Sequence, residues 1–236
     1  FDDVETITIC LNPGLESLRL DHAAMGFERK WSNSQVDALV GKLSQLSHLV
    51  SLSLSDIPIT DTHVRRLLPR FNDQLKCLHL CGNYGYGNPR CPLTDDGVKA
   101  IAEYCPSILT VDVDYQDKVG FPGILALVQN CPNLLEIGAC GTSLGVEDVS
   151  SILRVPNELL NLSFGEIGHS HSSTEKVSLQ NAVMSTNGRV VICTMRGLMN
   201  TNLPPEHKAN QDDSMSKIEL AFKQQRDPML CNKWES

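Results

Sequence analysis

The sequence predicts an α/β solenoid: a curved parallel sheet with helices stacked along its outer side, in about six to seven repeats. Three observations predict it. Twenty-six of the 31 leucines lie before residue 166. They recur in the pattern Leu-x-x-Leu-x-Leu, and the segments between copies change from a period of two to spacings of three and four. The copies are Leu15, Leu18, Leu20; Leu49, Leu52, Leu54; and Leu75, Leu78, Leu80, followed by the degenerate sets Ile108, Val111, Val113; Leu134, Ile137, Ala139; and Leu159, Leu162, Phe164. Their starts are 34, 26, 33, 26 and 25 residues apart, a unit of about 26 with two longer copies.

Residues 1–14 read as the end of a truncated or capping repeat. Two readings of 2–11 stand side by side. Asp2-Asp3-Val4, Ile7 and Cys10 track the closing helix of a later copy, whereas Thr6-Ile7-Thr8-Ile9 alternates like a β-branched strand. Residues 15–165 are the repeats proper. Alternation in each hexapeptide turns Leu18 and Leu20 one way and Ser17, Arg19 and Asp21 the other. Helical spacing follows in Val98, Ile101, Cys105, in Ile124, Leu127, Cys131 and in Val149, Ile152, Leu153. Thr60-Asp61, Thr94-Asp95-Asp96 and Glu147-Asp148 supply oxygen acceptors and negative charge where those helices begin. A strand and a return helix in every unit force the strands to run parallel. In 166–199 the pattern fades to a helix over Thr174–Met184, a turn at Asn187-Gly188 and a strand over Arg189–Thr194, read as an atypical C-terminal capping repeat that covers the open end of the core. Residues 200–236 form a tail with one short helical pattern, Ser214 to Gln225, whose Ile218 and Phe222 would pack on the array or on a partner.

These residues resemble the leucine-rich repeat family, and most of all its cysteine-containing, F-box-associated type. That type has a repeat near 26 and ends its helix in Cys-Pro, as in Tyr104-Cys105-Pro106-Ser107-Ile108 and Asn130-Cys131-Pro132-Asn133-Leu134, the first preceded by Leu93-Thr94-Asp95-Asp96-Gly97-Val98. The resemblance covers about residues 15–165 and implies fold more than function. The family's Asn or Cys after the strand is kept only as Asn83; Ala23, Ile57, Gln116, Thr142 and Ile167 stand elsewhere, so irregular loop hydrogen bonding is expected.

Composition narrows the function. The 236-residue chain carries a net charge of -8 and nine cysteines. An odd cysteine count in a chain this long excludes a small disulfide scaffold and points to a reducing, cytoplasmic setting. No run reaches the length of a membrane span. The acidic balance argues against nucleic acid as main partner, which would need a basic stripe, and leaves a basic protein surface open. The lack of an initiating Met suggests a piece of something longer.

The outward positions of successive copies give a polar concave face. Its candidate partner-binding residues are Arg19, Asp21, His79, Asp112, Asp114 and Glu136, with the two aspartates expected to face open solvent and attract a basic segment. The two longer copies add edge loops with a second set: Phe27, Arg29 and Trp31, and Tyr84, Tyr86 and Arg90. Aromatic and Arg side chains together are common interface anchors. Phe27 or Trp31 folding back over the helix layer is the competing reading. Cys77, His79 and Cys81 are metal-ligand types, but at alternate strand positions they fan out over about 13 Å, so no metal or cofactor is expected. His169-Ser170-His171 reads as a solvated loop. No phosphate loop, dinucleotide fingerprint or nucleophile elbow occurs.

The expectation is therefore a non-enzymatic protein-recognition module, with Cys10, Cys105 and Cys131 in the core. The resemblance adds the substrate receptor of a ubiquitin ligase as an alternative, and a scaffold subunit of a ciliary or ribosomal particle is another. A GTPase-activating array acting through Arg29 or Arg90 fits less well, because these repeats are shorter and less regular.

Overall fold

The structure, a computed structural model, describes residues 12–20, 31–82, 93–165, 173–186, 189–194 and 197–198. The segment 2–11, the turn at 187–188 and the helical pattern of the tail lie outside them.

The hexapeptides form strands β1 (Ser17–Arg19), β2 (Ser51–Ser53), β3 (Cys77–His79), β4 (Thr110–Asp112), β5 (Glu136–Cys140) and β6 (Asn161–Gly165), continued by β7 (Val191–Thr194) and β8 (Gly197–Leu198). They lie in sequence order in one sheet. Each pair from β1·β2 to β6·β7 is parallel, and only β7·β8 is antiparallel. Leu18, Leu52, Leu78, Val111, Ile137 and Leu162 face one another in register, so the repeat spacing read in the sequence is also the strand register. This is the expected leucine-rich repeat arrangement.

Between the strands run α1 (Asn33–Leu43), α2 (Asp61–Leu67), α3 (Asp95–Tyr104), α4 (Phe121–Asn130), α5 (Val146–Ile152) and α6 (Ser173–Ser185). Consecutive helices pack side by side from α1 to α6 in a single row. Their apolar residues, such as Val98, Ile101, Ile124, Leu127 and Val149, join the inward leucines in one core cluster. The caps act as expected. Thr60 Oγ1 accepts from His63 N, Thr94 Oγ1 accepts from Asp96 N, and Asp148 Oδ2 accepts from Gly145 N. Pro69 stands two residues after the end of α2, and the chain tightens there into two short 3₁₀ turns, Leu68–Arg70 and Asn72–Gln74. The last expected strand starts two residues late, at Val191. Arg189 is used otherwise: its guanidinium donates to the Leu159 carbonyl and to Asn157 Oδ1. Burial of that group lowers its pKa.

Neighbouring repeats are clamped by a device that the pattern of leucines does not reveal. Asp61 accepts hydrogen bonds from Thr94 N (2.9 Å) and Thr94 Oγ1 (2.7 Å), and Asp95 accepts from Gly120 N (2.8 Å) and Gly123 N (2.9 Å). The first-turn carboxylate of one helix thus satisfies N–H groups where the next helix starts. Room for it comes from glycine at the third residue of the receiving helix: a Cβ on Gly123 would lie 2.6 Å from Asp95 Oδ1, and one on Gly97 would collide with the Asp61 carboxylate.

The irregular loop bonding expected after the strands is present. Gln116 Nε2 donates to the Leu80 carbonyl at 2.7 Å, and Thr142 Oγ1 donates to the Ala139 carbonyl at 2.7 Å. Asp56, Tyr115 and Gly141, each two residues beyond the last inward residue of its strand, have φ values of 64°, 63° and 69°. The chain leaves the sheet there through the left-handed region, which is strained for Tyr115.

Cys105 and Cys131 are buried one repeat apart, with Cys131 Sγ 3.8 Å from the Cys105 carbonyl. Burial pushes both thiols up to about 12 from the ordinary 9.0, and Cys131 adds to the effect at Cys105. The folded state therefore keeps protons that the unfolded chain gives up above pH 9, so this stabilisation is complete below about 9 and is lost as pH rises toward 12. At pH 10 the loss is on the order of 1 kcal/mol per thiol. Urea unfolding at pH 8 and pH 10 checks this: the wild type is expected to lose about 2–3 kcal/mol more than Cys105→Ala/Cys131→Ala across that interval.

A recognition surface on the helix-free face of the sheet

Residues that alternate with the core leucines form two rows across the sheet, on the face opposite the described helices. In one row Ser17, Ser51, Cys77, Thr110, Glu136 and Asn161 are in register; in the next are Arg19, Ser53, His79, Asp112, Gly138 and Ser163. The sequence placed these residues on one surface, and the structure brings them together there.

Their surroundings differ from the expectation of an open, wetted surface. Ser17 and Arg19 are exposed, but Ser51, Thr110, Asp112, Glu136 and Asn161 are buried, Asp112 to 3% and Glu136 to 6%. Asp114 and His79 are half-buried. Cys77 and Cys140 are buried without belonging to the core cluster of the helix side. The physical reason for the mismatch is that alternation assigns a side chain to a face and carries no information on what lies over that face.

The centre of the surface is acidic. Asp112 Oδ1 accepts from Asp114 N (3.1 Å), and Asp114 Oδ1 accepts from Cys140 N (2.7 Å) on the next strand. Asp112 Oδ2 lies 3.5 Å from His79 Nδ1, at the outer limit of a hydrogen bond. Glu136 Oε1 accepts from Asn161 Nδ2 at 2.9 Å. Gly138 leaves the space in which the aspartates meet, since a Cβ there would sit 2.5 Å from Asp112 Oδ1 and 3.2 Å from Asp114 Oδ1. Sequence reasoning missed the parts of Gly138 and Asn161. The only signal in the sequence is a glycine in the register position of Asp112 one repeat on. Arg19, Cys77, Cys81, Asp112, Asp114, Glu136, Cys140 and Asn161 each take part in a further interaction as well.

Trp31 is half-buried and packs against the core. Asp21, Phe27, Arg29, Tyr84, Tyr86 and Arg90 lie outside the described residues, as do His169 and His171. Among the described residues no group of three His, Cys, Asp or Glu is placed to hold a metal ion, and no helix is long and apolar enough to cross a membrane.

No protein family and no curated protein is matched by the sequence. Among solved structures, the chain is similar to actin-binding site 2 of leiomodin-1, with 14% identity and a TM-score of 0.45 over 80% of this chain and 95% of that one. It is similar to a chain of the yeast Rad7–Elc1 complex at 14% identity and a TM-score of 0.43, covering 74% of this chain and 57% of that one. The leucine-rich repeat-containing protein LegL7 from Legionella pneumophila shows 11% identity and a TM-score of 0.36 over 92% of this chain and 95% of that one.

Proposed function

We infer that this chain is a non-catalytic protein-recognition module whose helix-free sheet face receives a basic segment of a protein partner. The observation that carries the reading is the meeting of Asp112 and Asp114 in the space left by Gly138 on the next strand, with Glu136 in the neighbouring row of the same face. Carboxylates held by backbone N–H groups keep their geometry, so a Lys or Arg docking there meets preorganised acceptors. Assignment to the cysteine-containing type of repeat, and to a reducing compartment, belongs to the same reading; the Cys105 and Cys131 ladder supports both.

Fluorescence anisotropy with a labelled Lys/Arg-rich peptide of 13 residues tests this. Asp112→Asn/Asp114→Asn is expected to weaken binding at least tenfold, and added salt to weaken the wild type but hardly the variant. Because Asp112 is buried and bonded, the variant is also expected to lose about 1 kcal/mol of stability, a loss too small to unfold it. Equal binding by wild type and variant would overturn the assignment.

A further inference from the structure

The outer side of the helix row changes character along the array. On α3 its exposed positions are charged: Asp96, Lys99 and Glu103. Aligned on the glycine that each helix places third, Gly97 and Gly123, the same positions of α4 hold Pro122, Leu125 and Gln129. No Asp, Glu, Lys or Arg occurs from Val119 to Leu135, the longest such run in the chain. Two helices on, Val177 and Met184 of α6 are 55% and 37% exposed, the only large hydrophobic side chains so open among the described residues. They stand seven residues apart, on one helical stripe with Asn181. Between these two uncharged stripes lies α5, whose outer side carries Glu147 in its first turn and Arg154 just past its end. Both are exposed, and among the described residues neither is in an ion pair. Two helical turns, about 10 Å, keep them from pairing with each other.

We propose that the outer side of α4–α6 is an interface between two copies of this chain, packed back to back with their helices antiparallel about a two-fold axis. Charge complementarity selects this occupant and this orientation. With each helix over its own counterpart and inverted, Glu147 of one copy lies over Arg154 of the other, and the same pair forms a second time across the axis. A parallel arrangement would instead set Glu147 over Glu147 and Arg154 over Arg154. On either side of these pairs the inverted stripes meet like with like: Leu125 lies over Ala126, and Val177 and Met184 lie over the same stripe of the other copy. Asp96 and Glu103 of α3 meet like charges in this pairing and so mark the border of the contact. Three helices about 9 Å apart and about 15 Å long give a footprint of about 400 Å² a side, small for a specific interface, so the dimer is weak and concentration-dependent. The helix-free faces of the two copies point in opposite directions, and a dimer whose faces each receive a basic segment binds a two-segment partner more tightly than a monomer does. That consequence rests on the recognition reading; the interface itself does not.

Sedimentation velocity of the full chain over a range of concentrations tests this, with urea unfolding as the check on the fold. The wild type is expected to pass from monomer to dimer in the micromolar range. Leu125→Lys/Val177→Lys is expected to weaken the dimer about tenfold or more with the urea midpoint unchanged, because it buries two charges in each half of the contact. Arg154→Glu alone and Glu147→Arg alone each set like charges opposite one another and are expected to weaken it by about tenfold. Glu147→Arg/Arg154→Glu exchanges the two charges and is expected to restore the wild-type Kd, which a variant weakened by misfolding does not do. Should Leu125→Lys/Val177→Lys unfold, the charge-exchange series supplies the reading. A wild type that stays monomeric at its highest soluble concentration overturns the proposal. So does a dimer that tolerates the apolar and the charge variants alike, or one that the exchange of charges fails to restore.

Discussion

Asp95→Ala is expected to destabilise the fold by about 2–4 kcal/mol, far more than an average change at a half-buried helix start. One carboxylate oxygen accepts from both Gly120 N and Gly123 N, so its removal strands two donors at the first turn of α4 and opens the seam between α3 and α4. Alanine cannot replace either bond, and water enters only if the two helices separate. The neighbouring Asp96 is the control: it is exposed and pairs with Lys99 at 3.2 Å, so Asp96→Ala is expected to cost under about 0.5 kcal/mol. Gly123→Ala attacks the same contact from the other side and is expected to destabilise by about 1–3 kcal/mol, because the added Cβ falls 2.6 Å from Asp95 Oδ1. Urea unfolding of the three variants measures this; equal midpoints for Asp95→Ala and Asp96→Ala would dismiss the clamp.

Phe164→Ala is expected to cost about 3–5 kcal/mol. Phe164 is among the largest fully buried side chains, and it lies in register with Ala139 on β5. In the equivalent inward positions the earlier copies use Leu54, Leu80 and Val113, so the array carries a small residue beside a large one at this point. The aromatic ring thus supplies volume that Ala139 does not. Ala139→Leu alone is expected to overpack by about 1–3 kcal/mol. In the double variant Phe164→Ala/Ala139→Leu the added leucine fills space that the lost ring leaves. Coupling of about 1 kcal/mol or more from a double-mutant cycle is the expected result; strict additivity would mean that the two side chains do not share a volume.

These two sites show different degrees of legibility in the sequence. The place of Phe164 was readable, because it ends a hexapeptide whose alternation sets it on the core face. The helix starts at Thr60 and Thr94 were readable too, since capping is chemistry between residues two or three apart. The reach of Asp95 across to Gly120 and Gly123 was not. In the sequence Asp95 is only a first-turn acid, and its acceptor role depends on how far apart the stacked helices sit. The same holds for Gln116, which substitutes for the expected Asn by bonding the Leu80 carbonyl, 36 residues away.

The acidic surface divides in the same way. Membership followed from the period of two: Asp112, Asp114 and Glu136 belong to the face that the leucines do not use. What the carboxylates do there did not follow. Asp114 holding Cys140 N, the space left by Gly138 and the depth at which Asp112 lies are properties of strands placed side by side.

By itself, then, the sequence determined the order and spacing of β1 to β6, the face of their inward residues and the helix starts near Thr60, Thr94 and Glu147, because periodicity and capping are local and repeat with the chain. Only the tertiary structure decided which repeats are clamped by a carboxylate and that the middle of the polar face, at Ser51, Thr110, Asp112, Glu136 and Asn161, is buried. Contacts between repeats and cover over a face depend on distances across the fold, which neighbouring letters in a chain do not encode.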